Sequence, residues 1–155
     1  MDCQNPAKAW SQVTDRVEVS VTVAASQETV FRHLVERDKL VSWIGLSAEF
    51  DAKPGNPINI DVNKTATASG QFVDVVPNER VVFTWGWIGN QIIPPGSSTV
   101  EITLKAVGDE TEVTLVHTGL PDEPSAAEHG RGWTHYLGRL ALVAVGDDPG
   151  PDTIT

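Results

Sequence analysis

SAAEHGRGWTHYLGRLALVAVG, running from Ser125 to Gly146, is the stretch whose reading decides the fold. It has the marks of one long amphipathic helix. Ser125 followed three residues later by Glu128 has capping-box spacing, in which each side chain satisfies an orphan amide of the first turn. Gly146 suits the left-handed position past the last turn, and Pro149 blocks continuation. At about 100° per residue, His129, Trp133, Tyr136, Leu137, Leu140, Val143 and Ala144 fall on one face of a helix spanning Ala126 to Val145. Arg131, His135 and Arg139 form a basic stripe on another. Gly130, Gly132 and Gly138 each cost roughly 1 kcal/mol relative to alanine in a helix interior. They either loosen the helix or let it approach a neighbour closely. A helix whose inward stripe carries rings rather than plain aliphatics is suited to walling a pocket.

What precedes this helix reads mostly as strands. Arg16 to Val23 alternates, with Val17, Val19, Val21 and Val23 on one side and Glu18, Ser20 and Thr22 on the other, the pattern of a half-buried strand. Ser26 caps a helix running to about Glu36, and a second short helix from Asp38 carries Leu40, Val41, Trp43 and Ile44. Strand pairs follow at Leu46–Asp51 and Pro57–Val62, at Gly70–Val76 and Arg80–Ile88, and at Thr99–Ala106 and Thr111–Thr118. Short turns between sequential strands imply antiparallel pairing. The class is α+β: a curved antiparallel sheet around the C-terminal helix, with two short helices after the first strand. Residues 14–146 form a single domain, 1–13 a mobile lead-in and 147–155 a flexible tail.

Composition limits the function. The chain has 155 residues, 40% of them hydrophobic, enough for one packed core. Eleven Lys and Arg against 21 Asp and Glu give a net charge of −10, which disfavours nucleic acid and anionic membranes as partners. Cys3 is the single cysteine, so neither an internal disulfide nor a thiolate metal cluster can form. No basic-then-apolar leader opens the chain, and the longest apolar run is Leu140 to Val145. Membrane insertion is not expected, and the cytoplasm is the default compartment.

Strand parity then places the chemistry. Val100, Ile102, Leu104 and Ala106 face inward, as do Val113, Leu115 and His117 on the next strand. Val81, Phe83, Trp85 and Trp87 share a face. The candidate ligand-binding residues are therefore Trp43, Phe83, Trp85, Trp87, Leu104 and Leu115, with His117 beside them. From the helix come His129, Trp133, Tyr136 and Leu137. The tryptophans either fill the core or line a cavity of the mostly apolar kind that takes small molecules. His117 and His129 are either hydrogen-bonded core residues or the polar floor of a pocket; His33 and His135 fall on polar, solvated faces. The long connection IGNQIIPPGSS, Ile88 to Ser98, puts Ile92 and Ile93 at an entrance, unless they fold back onto the sheet. No dinucleotide or phosphate loop, nucleophile elbow or zinc-type histidine spacing occurs, so no catalytic residue, cofactor or metal site is assigned.

Taken in order, several segments resemble the START/SRPBCC (helix-grip, Bet v 1-like) superfamily, in the branch related to the activator of Hsp90 ATPase homologues. They cover Val17 to Val145: the first strand with Ala25-Ser26-Gln27-Glu28-Thr29-Val30-Phe31, then Leu40 through Trp43, and Phe50-Asp51-Ala52-Lys53-Pro54-Gly55. Gly70-Gln71-Phe72-Val73-Asp74-Val75-Val76-Pro77 leads into Val82-Phe83-Thr84-Trp85. Ser98-Thr99-Val100 and Thr111-Glu112-Val113-Thr114-Leu115 follow, ending at His129, Gly132-Trp133 and Leu137. Asn56 departs from the pattern, standing where many relatives have a second glycine. The resemblance implies a seven-stranded sheet gripping the C-terminal helix, with an elongated cavity between them for lipids, polyketides or other apolar molecules. Carriage or sensing of such a molecule is the leading expectation. A polyketide-cyclase or hydrolase-like enzyme using a cavity histidine is the alternative. A co-chaperone-like domain is the third reading, with an Hsp90-type partner disfavoured, and a homodimer stays open.

Overall fold

The computed structural model describes residues 16–150 and 152. The expected lead-in, with Cys3 and Trp10, lies outside these residues. The elements are β1 (Arg16–Val23), α1 (Gln27–Val35), α2 (Arg37–Leu40), β2 (Ser47–Phe50), β3 (Pro57–Asn63), β4 (Ala66–Val76), β5 (Arg80–Trp85), β6 (Ser98–Val107), β7 (Glu110–Thr118) and α3 (Glu123–Val143). The strands form one antiparallel sheet in the order β1-β7-β6-β5-β4-β3-β2. Closing β1 onto β7 puts the first and last strands side by side, Val17 opposite His117. Register shifts at Asp61/Asn63 and Phe72/Asp74 add the local twist that bends the sheet around α3. This is the helix-grip architecture.

The alternating patterns behave as hydrophobic burial requires. Val81, Phe83 and Trp85 of β5, Val100, Ile102 and Leu104 of β6, and Val113 and Leu115 of β7 are all buried. They meet Trp133, Tyr136, Leu137 and Leu140 of α3 in one core. Ser26 caps α1, its side chain accepting from the Thr29 amide at 3.2 Å.

Three local readings need correction. The helix α3 begins a turn earlier than the Ser125–Glu128 spacing indicates: Asp122 is the N-cap, accepting from the Ser125 amide at 2.9 Å. Pro124 sits in the first turn, where its missing N–H costs nothing. A carboxylate cap also complements the helix dipole, so Asp122 prevails over the serine. His33 is buried rather than solvated, because the turn after α2 folds Trp43 against α1 and Trp43 Nε1 donates to the His33 carbonyl at 2.9 Å. His135 is half-buried and paired with Asp152, Nε2 to Oδ1 at 2.9 Å.

Candidate functional site

The site grows from the end of β5. That strand stops at Trp85, three residues short of the expected Ile88, and Trp87 keeps only an isolated bridge to Ala68. Gly86 is the reason. A Cβ there would lie 1.8 Å from the Pro94 carbonyl oxygen, so only glycine admits this close approach of the 88–97 loop. The loop divides its two isoleucines. Ile93 is 5% exposed and folded into the core, whereas Ile92 is 67% exposed.

Opposite lie the rings of α3, and the two sides meet in a hydrogen-bonded array. Trp133 Nε1 donates to His117 Nδ1 at 3.0 Å, and Trp87 Nε1 donates to His129 Nε2 at 3.1 Å. These donors determine the tautomers. His117, accepting on Nδ1, carries its proton on Nε2 and donates to Ser98 Oγ at 2.8 Å; Ser98 in turn donates to the Trp85 carbonyl at 2.9 Å. His129, accepting on Nε2, donates from Nδ1 to the Ser125 carbonyl at 2.8 Å. Each imidazole thus has both ring nitrogens engaged. Burial, assisted by the nearby His129, pushes the His117 pKa down to about 3.

The rings pack edge to face or tilted. Trp85 lies 5.0 Å from Trp133 and 5.3 Å from Trp87, and the two imidazoles are 5.0 Å apart. Among the four described tryptophans, Trp43, Trp87 and Trp133 each have a partner for the indole N–H. Trp85 does not: its Nε1 is buried and unpartnered.

Beside the array runs a cleft of about 620 Å³. Of the residues expected to bind a ligand, Trp85, Trp87, His129, Trp133 and Tyr136 line it. His117 lies beneath, with no exposure, behind the lining rings of Trp85, His129 and Trp133. Trp43, Phe83, Leu104, Leu115 and Leu137 are packed in the core away from the lining, as is Ile93. Ile92 is not on the lining either; Ile88, Gly89 and Asn90 form that edge instead.

Sequence reasoning missed the other wall, Val62 and Ala66 at the β3–β4 turn, together with Ile44. The alternation of Ile58, Ile60 and Val62 already carried a signal for it. Ser98 was also missed, although it shares parity with Val100 and Ile102. Gly132 sits on the lining, and a Cβ there would meet nothing within 4 Å, so its smallness keeps that wall open.

The basic stripe of α3 divides in two. Arg131 borders the cleft, whereas His135 and Arg139 hold the chain that follows the helix. Arg139 donates to the carbonyls of Gly150 and Trp43, at 3.0 and 3.1 Å. Asp152 accepts from the Tyr136 hydroxyl at 2.8 Å. Burial, reinforced by Asp152, raises the Tyr136 pKa far above the ordinary phenol value. Among the described residues no group of three His, Cys, Asp or Glu is placed to hold a metal ion, and no helix is long and apolar enough to cross a membrane.

Residues 24–144 match the family described as activator of Hsp90 ATPase homolog 1-like protein. The chain belongs to this family. The AHSA1-like protein of Rhizobium etli, solved in solution, is 41% identical and superposes with a TM-score of 0.72 over 90% of this chain and 88% of that one. The human activator of 90 kDa heat shock protein ATPase homolog 1 is 25% identical over 125 residues, 79% of this chain. The chain spans only 35% of that human protein's length. The solution structure of an Aha1 dimer from Colwellia psychrerythraea shares the fold at 19% identity, with a TM-score of 0.72 over 83% of this chain and 95% of that one. Membership in the AHSA1-like family accounts for the helix-grip fold and for the order of segments along the chain.

Proposed function

We propose that this protein binds an apolar or aromatic small molecule in the cleft between the end of β5 and α3, as a carrier or sensor. The observation that carries this reading is the cleft wall of three indoles, Trp85, Trp87 and Trp133, flanked by the polar side chains of Asn63, Thr65, Asn90, Glu128, His129 and Arg131. Its volume of about 620 Å³ falls within the roughly 300–1,000 Å³ usual for small-molecule sites. Flat polarizable walls favour ring-bearing molecules over water.

The alternative, acid–base catalysis by a cavity histidine, is disfavoured by the same geometry. His117 and His129 have no free ring nitrogen, so neither can take a substrate proton without first losing a hydrogen bond. An Hsp90-type partner rests on the family name alone.

Native mass spectrometry of freshly purified protein, followed by titration with anilinonaphthalene sulfonate, tests the proposal. Saturable binding at one site, weakened about tenfold or more by Trp87→Ala, is the expected result. No co-purifying molecule and no saturable probe binding would overturn it. Capture of an Hsp90 by a protein that binds no probe would favour the co-chaperone reading instead.

A further inference from the structure

The Trp85 indole says more about the chemistry of the ligand. Trp85 is 4% exposed, its ring forms part of the cleft wall, and its N–H is unpartnered. The neighbouring indoles show that this fold has the means to satisfy such a donor. Trp87 and Trp133, within 5.3 Å of Trp85, each end on an imidazole nitrogen. No third imidazole or carbonyl is supplied for Trp85. Buried donors left without an acceptor are rare in native proteins, and each calls for a physical reason.

We propose, resting on the small-molecule reading above, that the ligand is a ring-bearing molecule carrying a carbonyl-type oxygen, and that this oxygen accepts a hydrogen bond from Trp85 Nε1. The ring system lies against the indole faces, and the oxygen points toward the end of β5. The nitrogen is covered in this conformation, so the oxygen reaches it when a neighbouring ring moves. Trp87 is the ring suited to do so. It is only half-buried, stands edge-on to Trp85, and its indole N–H makes a single hydrogen bond, to His129. An apolar ligand of the same shape leaves the Trp85 donor unsatisfied and forgoes that gain.

A matched pair of probes separates this proposal from the broader one. Fluorene and fluorenone have the same fused-ring frame and differ by one carbonyl oxygen. Fluorenone is expected to bind the wild-type protein about tenfold more tightly than fluorene, the ratio that one buried hydrogen bond supplies. Trp85→Phe keeps an aromatic ring without the donor and is expected to level the two affinities. A nitrogen-15 NMR spectrum of the wild-type indoles gives a second readout that needs no variant. The Trp85 N–H resonance moves downfield with fluorenone and not with fluorene.

Equal binding of both probes to the wild type, or a preference that survives Trp85→Phe, overturns the proposal and leaves small-molecule binding standing. Failure of both probes to bind, together with a negative anilinonaphthalene sulfonate titration, removes both.

Discussion

Replacing His117 with leucine will destabilise the protein at neutral pH and leave it nearly as stable as the wild type at pH 5. The neutral-pH cost comes from Trp133. Its indole N–H is buried and ends on His117 Nδ1, so the variant leaves that donor without an acceptor. Ser98 loses the His117 donor but keeps its own hydrogen bond to the Trp85 carbonyl. Together these losses amount to about 2 kcal/mol.

The pH term has the opposite sign. The folded-state pKa of His117 is depressed to about 3 from an ordinary 6.5, because burial disfavours the imidazolium. Above pH 6.5 the residue is neutral folded and unfolded, and contributes no pH dependence. As pH falls from 6.5 toward 3, the unfolded chain takes up a proton that the folded protein refuses, and wild-type stability declines. At pH 5 the penalty is about 2 kcal/mol, from 1.5 pH units at roughly 1.4 kcal/mol each. Leucine carries no such penalty, so it offsets the lost hydrogen bonds. Urea unfolding of both proteins at pH 7.5 and pH 5, followed by tryptophan emission, measures the difference. A stability gap of the same size at both pH values would refute the reasoning, since it would mean that His117 titrates normally in the fold.

Asp122→Ala is expected to fray the first turn of α3, lowering hydrogen-exchange protection of the Ser125 amide roughly tenfold, whereas Glu128→Ala leaves it unchanged. Gly138→Ala should raise stability by about 1 kcal/mol, because a Cβ there meets nothing within 4 Å and the residue lies in mid-helix. Gly86→Ala should cost about 3 kcal/mol or more, since the Pro94 carbonyl occupies the space the methyl needs; thermal unfolding distinguishes the two. Tyr136 is the single tyrosine, so its ionisation is readable by ultraviolet absorbance. Asp152→Asn is expected to lower its pKa, and an unchanged titration would show that the Asp152 contact does not form in solution.

Much of the architecture was legible because it rests on local periodicity. The alternation of Val17 to Val23 and of Val100 to Leu104 names a buried face without reference to the rest of the chain, although the same parity wrongly placed Ala106, which is exposed, on that face. The heptad-like spacing of His129, Trp133, Tyr136 and Leu140 does the same for α3. Parity also placed His117 inward, and the structure has it fully buried facing Trp133. The same reasoning extended β5 through Ile88, and there it failed. Gly86 turns the chain out of the ladder for a contact with Pro94 that lies eight residues further on, and no alternation pattern registers such a contact. His33 and His135 were misplaced for a related reason. Helix periodicity assigns a polar face, but Trp43 and Asp152 arrive from outside the helix and cover it.

The amino-acid sequence by itself determined the α+β class, the order of strands along the chain, the long closing helix and the inward faces that carry Trp85, His117, His129 and Trp133. Each of these follows from the spacing of apolar residues, which burial reads out locally. Only the tertiary structure decided which rings border the cleft and which fill the core. It also decided the tautomers of His117 and His129, and that Trp85 alone among the four described tryptophans lacks an acceptor. Those outcomes depend on partners 16 and 42 residues apart for Trp133 and Trp87. A hydrogen bond requires placement to a few tenths of an ångström, whereas periodicity resolves only which way a side chain faces.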